Sequence, residues 1–256
     1  MLTEAEKRRY NRHIMLPEVG EEGQEKLKRS KVLVVGAGGL GAPNLQYLTA
    51  AGIGELSIMD DDLVNEDNLH RQILYGGHDL GKLKTIIAKE RLNTLNPFIK
   101  HHVINIRLNS GNALRVIKEY DLVIDATDNF STRYLINDAC IILGKPWIYG
   151  SVYQYEGEVS VFNYKNGPSI RCLFEHVEDK KNIPNPADSG LFGILPGIIG
   201  SFQANEAIKV ITGIGEALSG KLLYFNTLNN NSRLISFPRI DKNFQKFEEL
   251  QNILAV

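Results

Sequence analysis

The chain has 256 residues, enough for one large α/β domain or two small ones, with 43% hydrophobic and 23% charged residues. Its 29 basic and 30 acidic residues are mixed along the sequence and leave a net charge of −1, so no broad basic field for duplex nucleic acid is implied. The longest apolar runs are strand-length, which excludes a membrane span, and two cysteines make no disulfide framework.

The opening Met1-Leu-Thr-Glu-Ala-Glu6 is acidic and polar, unlike a secretory signal, and cytoplasmic residence is expected. Residues 3–16 and 21–29 read as two charged helices separated by Pro17 and Gly20. Strand-like runs at 31–35, 55–60, 99–104 and 121–126 alternate with helical patterns at 39–51, 82–95 and 110–119. That alternation argues for βαβ units in a parallel sheet. A helix at 131–143 is ended by Gly144 and Pro146. Beyond it, Trp147–Tyr153 and Glu158–Tyr164 read as neighbouring strands joined by a hairpin at Glu156-Gly157. The polar, Pro-, Gly- and Asp-rich stretch 175–195 reads as a mobile loop. A helix at 197–212, strands at 221–226 and 232–237, and a short amphipathic helix over the last fifteen residues complete the chain.

The expected architecture is one α/β domain over 1–256, with an N-terminal helical arm at 1–30. A Rossmann-like, mostly parallel sheet with helices on both faces is expected over 31–146, the nucleotide-binding half. An antiparallel half over 147–256 continues it.

The run Val32-Leu-Val-Val-Gly-Ala-Gly-Gly-Leu-Gly41 carries the strongest signal. An apolar strand feeds a turn with glycines at Gly36, Gly38, Gly39 and Gly41, and then a helix whose positive end suits a phosphate. Asp60 ends the next strand at the spacing expected for a carboxylate on ribose hydroxyls. Taken alone, the glycines point to NAD or FAD ahead of ATP, and a tight turn without a ligand is a further reading. Other residues move the balance. Asp67-Asn-Leu-His-Arg71-Gln72 lies in a loop after the Asp60 strand, and Lys84 opens the next helix. Asp128, in Ala126-Thr-Asp-Asn129, sits just beyond the fourth strand. Ligands of open parallel sheets bind outside the carboxyl ends of the strands, so these groups can converge on one crevice. A triphosphate needs cations and a metal ligand; a hydride-transfer site needs neither a Mg²⁺ carboxylate nor several phosphate clamps. Read singly, Arg71 and Lys84 are equally well explained as solvated surface charges.

These residues together resemble the ThiF/MoeB/HesA family, bacterial relatives of ubiquitin-activating enzymes. The likeness runs from Arg8-Arg-Tyr-Asn-Arg12 to about residue 237 and includes Leu16-Pro17, Asp60-Asp-Asp62, Asn96-Pro97, Leu195-Pro-Gly-Ile-Ile-Gly200 and Glu206-Ala-Ile-Lys209. The resemblance implies ATP-dependent adenylation of the C-terminal carboxylate of a small ubiquitin-fold carrier protein ending in Gly-Gly. Such ThiS- or MoaD-type carriers deliver sulfur to thiamine or molybdopterin. It also implies nucleotide contacts from Gly36, Gly38, Gly39, Gly41, Asp60 and Asp62. Asn68, Arg71 and Lys84 would meet phosphates, Gln72 would join the nucleotide contacts, Asp128 would bind Mg²⁺, and Thr127 and Asn129 would flank it. Arg12 would reach into the neighbouring subunit's site, which implies a homodimer completed in trans. Arg12, Arg71, Lys84 and Asp128 are thus the expected catalytic set.

The chain departs from the family at two places. Many members hold zinc with two C-x-x-C pairs, whereas here the first reads Ser169-Ile-Arg-Cys172 and the second is absent, so no zinc is expected. The region around Cys172 must then hold by packing alone. Pro186, in Ile183-Pro-Asn-Pro-Ala-Asp-Ser-Gly190, stands where some members carry a transfer cysteine, so a separate sulfur donor is expected. His70 reads as a spacer, and His101-His102 has no companions for a metal. A branch acting on carbamoylated tRNA adenosine, a nicotinamide-dependent oxidoreductase and a non-catalytic scaffold remain as alternatives, with nucleic acid disfavoured by the balanced charge.

Overall fold

The computed structural model describes residues 1–174 and 190–247. The N-terminal arm comprises α1 (Glu4–Arg9), α2 (Asn11–Ile14) and α3 (Gly20–Arg29). The single helix expected over 3–16 is interrupted at Tyr10, because that side chain turns inward. Tyr10 is buried, and its hydroxyl accepts a hydrogen bond from Asn96 Nδ2 at 2.8 Å. Thr3 and Glu6 form a capping box at the start of α1. Glu6 also pairs with Lys28 on α3 at 2.8 Å, which ties the arm together.

Three parallel units follow: β1 (Lys31–Val35), α4 (Gly41–Ala51), β2 (Glu55–Met59), α5 (Lys84–Leu95), β3 (Lys100–Ile104), α6 (Ala113–Ile117) and β4 (Leu122–Asp125). Next come α7 (Phe130–Ile142), β5 (Trp147–Tyr153), β6 (Glu156–Phe162), α8 (Ile170–Leu173), α9 (Leu195–Thr212), β7 (Lys221–Asn226) and β8 (Asn231–Ser236). They build one sheet in the order β3-β2-β1-β4-β5-β6-β7-β8. The first five strands of that order pair in parallel, and β5 to β8 pair antiparallel, as expected of a parallel core with an antiparallel continuation.

Alternation along the strands feeds two cores. Val32 and Val34 of β1 join Leu45 and Leu48 of α4, Leu92 of α5 and Ile199 of α9 on one face. Leu33 and Val35 join Ile117 of α6, Ile136 of α7, Trp147 and Phe162 on the other. A strand buried on both sides needs a continuous apolar run, which is what residues 32–35 supply. Each such side chain removed from water stabilises the fold by roughly 1.5–3 kcal/mol.

The hairpin differs from expectation. Tyr153 pairs with Glu156 and Val152 with Gly157, so the turn is Gln154-Tyr155, with Gln154 in the left-handed region at φ +50°. Gly157 lies within the strand for a steric reason: a Cβ there would sit 2.3 Å from Ile199 Cγ1, so the glycine lets α9 lie close on β6. The helix expected at 197–212 begins two residues earlier, at Leu195, with Pro196 in its first turn. Cys172 packs with Ile141, Phe244 and Phe247, flanked by Phe237 and Ile240, and its Sγ accepts the Ile240 N–H at 3.3 Å. Residues 242–247 are helical. The remainder of the expected C-terminal helix lies outside the described residues, as does the 175–189 part of the expected loop with Pro186. Among the described residues no helix is long and apolar enough to cross a membrane.

Candidate active site

The carboxyl ends of β1, β2 and β4 open into a cavity of about 790 Å³, a size usual for small-molecule sites. It lies where the order of the sheet reverses from β1–β2–β3 to β4, the position at which doubly wound sheets take ligands. Gly36, Gly38, Gly39 and Leu40 form part of its wall. The turn is held from beneath. Gly36 N–H donates to Met59 O at 2.7 Å. The Ala37 N–H donates to Asp60 Oδ2 at 2.7 Å, and the Tyr75 hydroxyl donates to Ala37 O at 2.8 Å. No side chain caps α4, so its positive end stays available to an anion beside the turn.

Gly41 is not part of the cavity wall, contrary to its expected place at the ligand. A Cβ there would stand 2.1 Å from the Gly36 carbonyl oxygen, so this glycine serves the close packing of helix against turn. Asp60 is half-buried at the cavity edge, and its Oδ1 also accepts the Asp62 N–H at 2.7 Å. Lys84 is 4% exposed and points its Nζ at Asp62 Oδ2, 2.9 Å away, while Asp62 itself is 65% exposed. Lys84 is the first residue of α5, which has no side-chain cap and no acidic residue in its first turn. A cation there opposes the helix dipole, so the arrangement is poor for stability and good for an incoming anion.

Asn68 braces the next group. Its Oδ1 accepts from Arg71 Nη2 at 3.0 Å and from Gln72 Nε2 at 2.7 Å, which orders both side chains along the wall. Gln72 Oε1 is buried without a hydrogen-bond partner among the described residues. His70, expected as a spacer, also lines the cavity, with Nε2 3.4 Å from Arg71 Nη1. Across the cavity, Thr127 donates its N–H and hydroxyl to Asp125 Oδ1 at 3.0 and 2.6 Å. Asn129 caps α7, its Oδ1 accepting from Thr132 N at 2.9 Å. Asp128 between them is exposed, and its one hydrogen bond among the described residues comes from Asn129 Nδ2 at 3.5 Å. Arg12 stands apart: exposed on α2, outside the cavity of its own chain, with no hydrogen bond or ion pair among the described residues.

The ThiF family model matches residues 10–247. The chain belongs to the ThiF family. It is 48% identical over 242 residues to the sulfur carrier protein adenylyltransferase of Thermus thermophilus, covering 93% of this chain and 89% of that one. It is also 48% identical over 221 residues to a probable molybdopterin-synthase adenylyltransferase of Porphyra purpurea, covering 86% of this chain and 58% of that protein. A crystal structure of E. coli MccB with MccA-N7isoASN shares the fold, with a TM-score of 0.82 at 22% identity over 92% of this chain and 73% of that one.

Within this ThiF chain, two of the sequence signposts serve architecture. Tyr10 and Asn96 bond each other, and Asn96 Nδ2 also reaches Thr49 O at 2.7 Å, locking the arm onto α4. His101 is buried, with ring nitrogens 2.9 Å from Thr49 Oγ1 and 2.8 Å from Asn93 Oδ1. Sequence reasoning passed over two arginines of the cavity wall, Arg107 and Arg133. Arg107 follows the end of β3, so the rule that found Asp60 and Asp128 could have found it. Arg133 lies inside a helix and is 4% exposed, beside Asp125 at 3.5 Å. Nothing in the sequence distinguishes such a cation from a surface charge. Burial pushes the Asp125 carboxyl up to about 6 despite that neighbour.

Proposed function

We propose that this chain uses MgATP to adenylate the C-terminal carboxylate of a small ubiquitin-fold sulfur-carrier protein ending in Gly-Gly. One observation carries the reading: a single cavity joins the glycine turn, Asp60, the cations Arg71 and Lys84, and the exposed carboxylate of Asp128. The name and high identity of the Thermus relative support the carrier as substrate.

In this reading the turn at Gly36–Gly39 approaches the nucleotide while Asp60 accepts from ribose hydroxyls. Asn68, Arg71 and Lys84 bind phosphates, and Gln72 contacts the nucleotide. An anionic peptide end must meet a polyanion, so positive charge set in place beforehand lowers the barrier. A carrier carboxylate oxygen attacks the α-phosphorus, the bond from that phosphorus to the bridging oxygen breaks, and pyrophosphate leaves with the electron pair. The carboxylate is already ionised, so no general base is required. Asp128 offers a hydrated oxygen donor of the kind hard divalent cations take, and is the residue assigned to hold Mg²⁺. Bound Mg²⁺ would neutralise phosphate charge there.

Arg12 acts across a homodimer in this account, which its exposure and its lack of partners among the described residues support. Cys140 and Cys172 are both buried away from the cavity wall, which supports hand-over of the acyl-adenylate to a separate sulfur donor in the cytoplasm. With one sulfur at 169–172 the chain works without zinc. Both thiamine- and molybdopterin-type carriers suit this chemistry. Carrier-dependent exchange of labelled pyrophosphate into ATP tests the proposal. Tight NADH binding with no exchange for any Gly-Gly carrier would overturn it.

A further inference from the structure

The strongest unassigned feature is a buried ion pair behind the Asp128 turn. Arg133 on α7 is 4% exposed and Asp125 at the end of β4 is fully buried. Arg133 Nε and Asp125 Oδ2 face each other at 3.5 Å, and neither atom has a hydrogen-bond partner among the described residues. A pair this imperfect does little for stability, since an apolar pair of similar volume would serve as well. Both members of the pair also hold Thr127. Asp125 Oδ1 takes both the N–H and the hydroxyl of Thr127, and Arg133 Nη2 donates to the Thr127 carbonyl at 3.2 Å. The same Nη2 reaches Gly150 O on β5 at 3.4 Å. The guanidinium lies over the rings of Phe130 and Tyr149, with centroids 5.1 and 5.2 Å away. That fixes the plane of a fork that would otherwise be free to rotate.

We infer that Arg133 is a positioning residue: with Asp125 it holds Thr127 by its N–H on one side and its carbonyl on the other, and so sets the direction in which Asp128 enters the cavity. The inference rests on the reading of Asp128 as the metal-holding carboxylate. Among the described residues Asp128 has only a 3.5 Å bond from Asn129 of its own, so its orientation is inherited from the residue before it. A lysine at 133 keeps the charge and loses the planar guanidinium that faces Asp125 with Nε while Nη2 reaches the two carbonyls.

Calorimetric ATP binding at graded Mg²⁺ tests this without turnover. For Arg133→Lys the half-saturating Mg²⁺ should rise about tenfold, with Mg²⁺-free ATP affinity within twofold of the parent. Thr127→Val removes one of the grips at little steric cost and should shift the same way by a smaller factor. It decides the matter if the lysine variant does not fold. An unchanged Mg²⁺ requirement in a folded Arg133→Lys or in Thr127→Val overturns the inference. So does an equal loss of Mg²⁺-free and Mg²⁺-bound affinity, which marks a merely structural role. If the parent protein itself shows no Mg²⁺-dependent ATP binding, the functional reading fails instead.

Discussion

Replacing Lys84 by Met separates a functional cation from a structural one. The side chain is buried at the first position of α5, opposes the helix dipole, and has one partner among the described residues, Asp62, which is 65% exposed. Removing the charge relieves a dipole penalty of about 0.3–1 kcal/mol. Asp62 keeps its hydration, so little is lost in return, and Met follows the same path through the wall. The variant should therefore be as stable as the parent or more so, by up to about 1 kcal/mol, a Tm rise of up to about 4 °C for a chain of this size. Activity should move the other way. A charge-assisted hydrogen bond to phosphate is worth about 1.5–3 kcal/mol. Its loss from the transition state lowers carrier-dependent pyrophosphate exchange roughly 10- to 150-fold. The assays are thermal unfolding of the free protein and exchange at saturating ATP. Destabilisation beyond about 2 kcal/mol, or exchange within threefold of the parent, would refute the reasoning.

Mixing Arg12→Ala with Arg71→Ala protein should restore part of the activity that each lacks alone, because a mixed dimer contains one intact composite site. Size-exclusion measurement should show a dimer, and absence of rescue after subunit exchange would count against action in trans. Acid should expose His101. Burial holds its imidazole down at about 4, below the ordinary 6.5, so the folded chain keeps it neutral while the unfolded chain takes up a proton. Its contribution is complete above pH 6.5 and is lost as pH falls toward 4, amounting to at most about 3 kcal/mol. Urea unfolding of His101→Gln should decline less steeply than the parent between pH 6.5 and 4.5; equal slopes would contradict this.

Much of the fold was legible because its signals are local and periodic. Residues 32–35 are apolar on both faces, so β1 could be placed at the centre, and the glycine turn after it located the cavity. Polar residues following strand ends found Asp60 and Asp128 for the same topological reason. What local signals could not resolve was the purpose of individual glycines. Gly157 looked like a turn and is a packing site beneath Ile199, and Gly41 looked like a ligand contact and is a packing site against Gly36. Both depend on how closely another element approaches, which a sequence window does not contain. Arg133 was invisible for a related reason, since its burial arises from β4, β5 and α7 meeting around it.

Pyrophosphate exchange with two forms of one carrier puts the central claim most directly at risk. The protein, Mg²⁺, ATP and labelled pyrophosphate are incubated with a ubiquitin-fold carrier ending in Gly-Gly, or with the same carrier lacking its last glycine. The account predicts exchange with the intact carrier only, abolished by Asp128→Ala. Exchange that ignores the carrier's terminus, or none with any intact ThiS- or MoaD-type carrier, would contradict it.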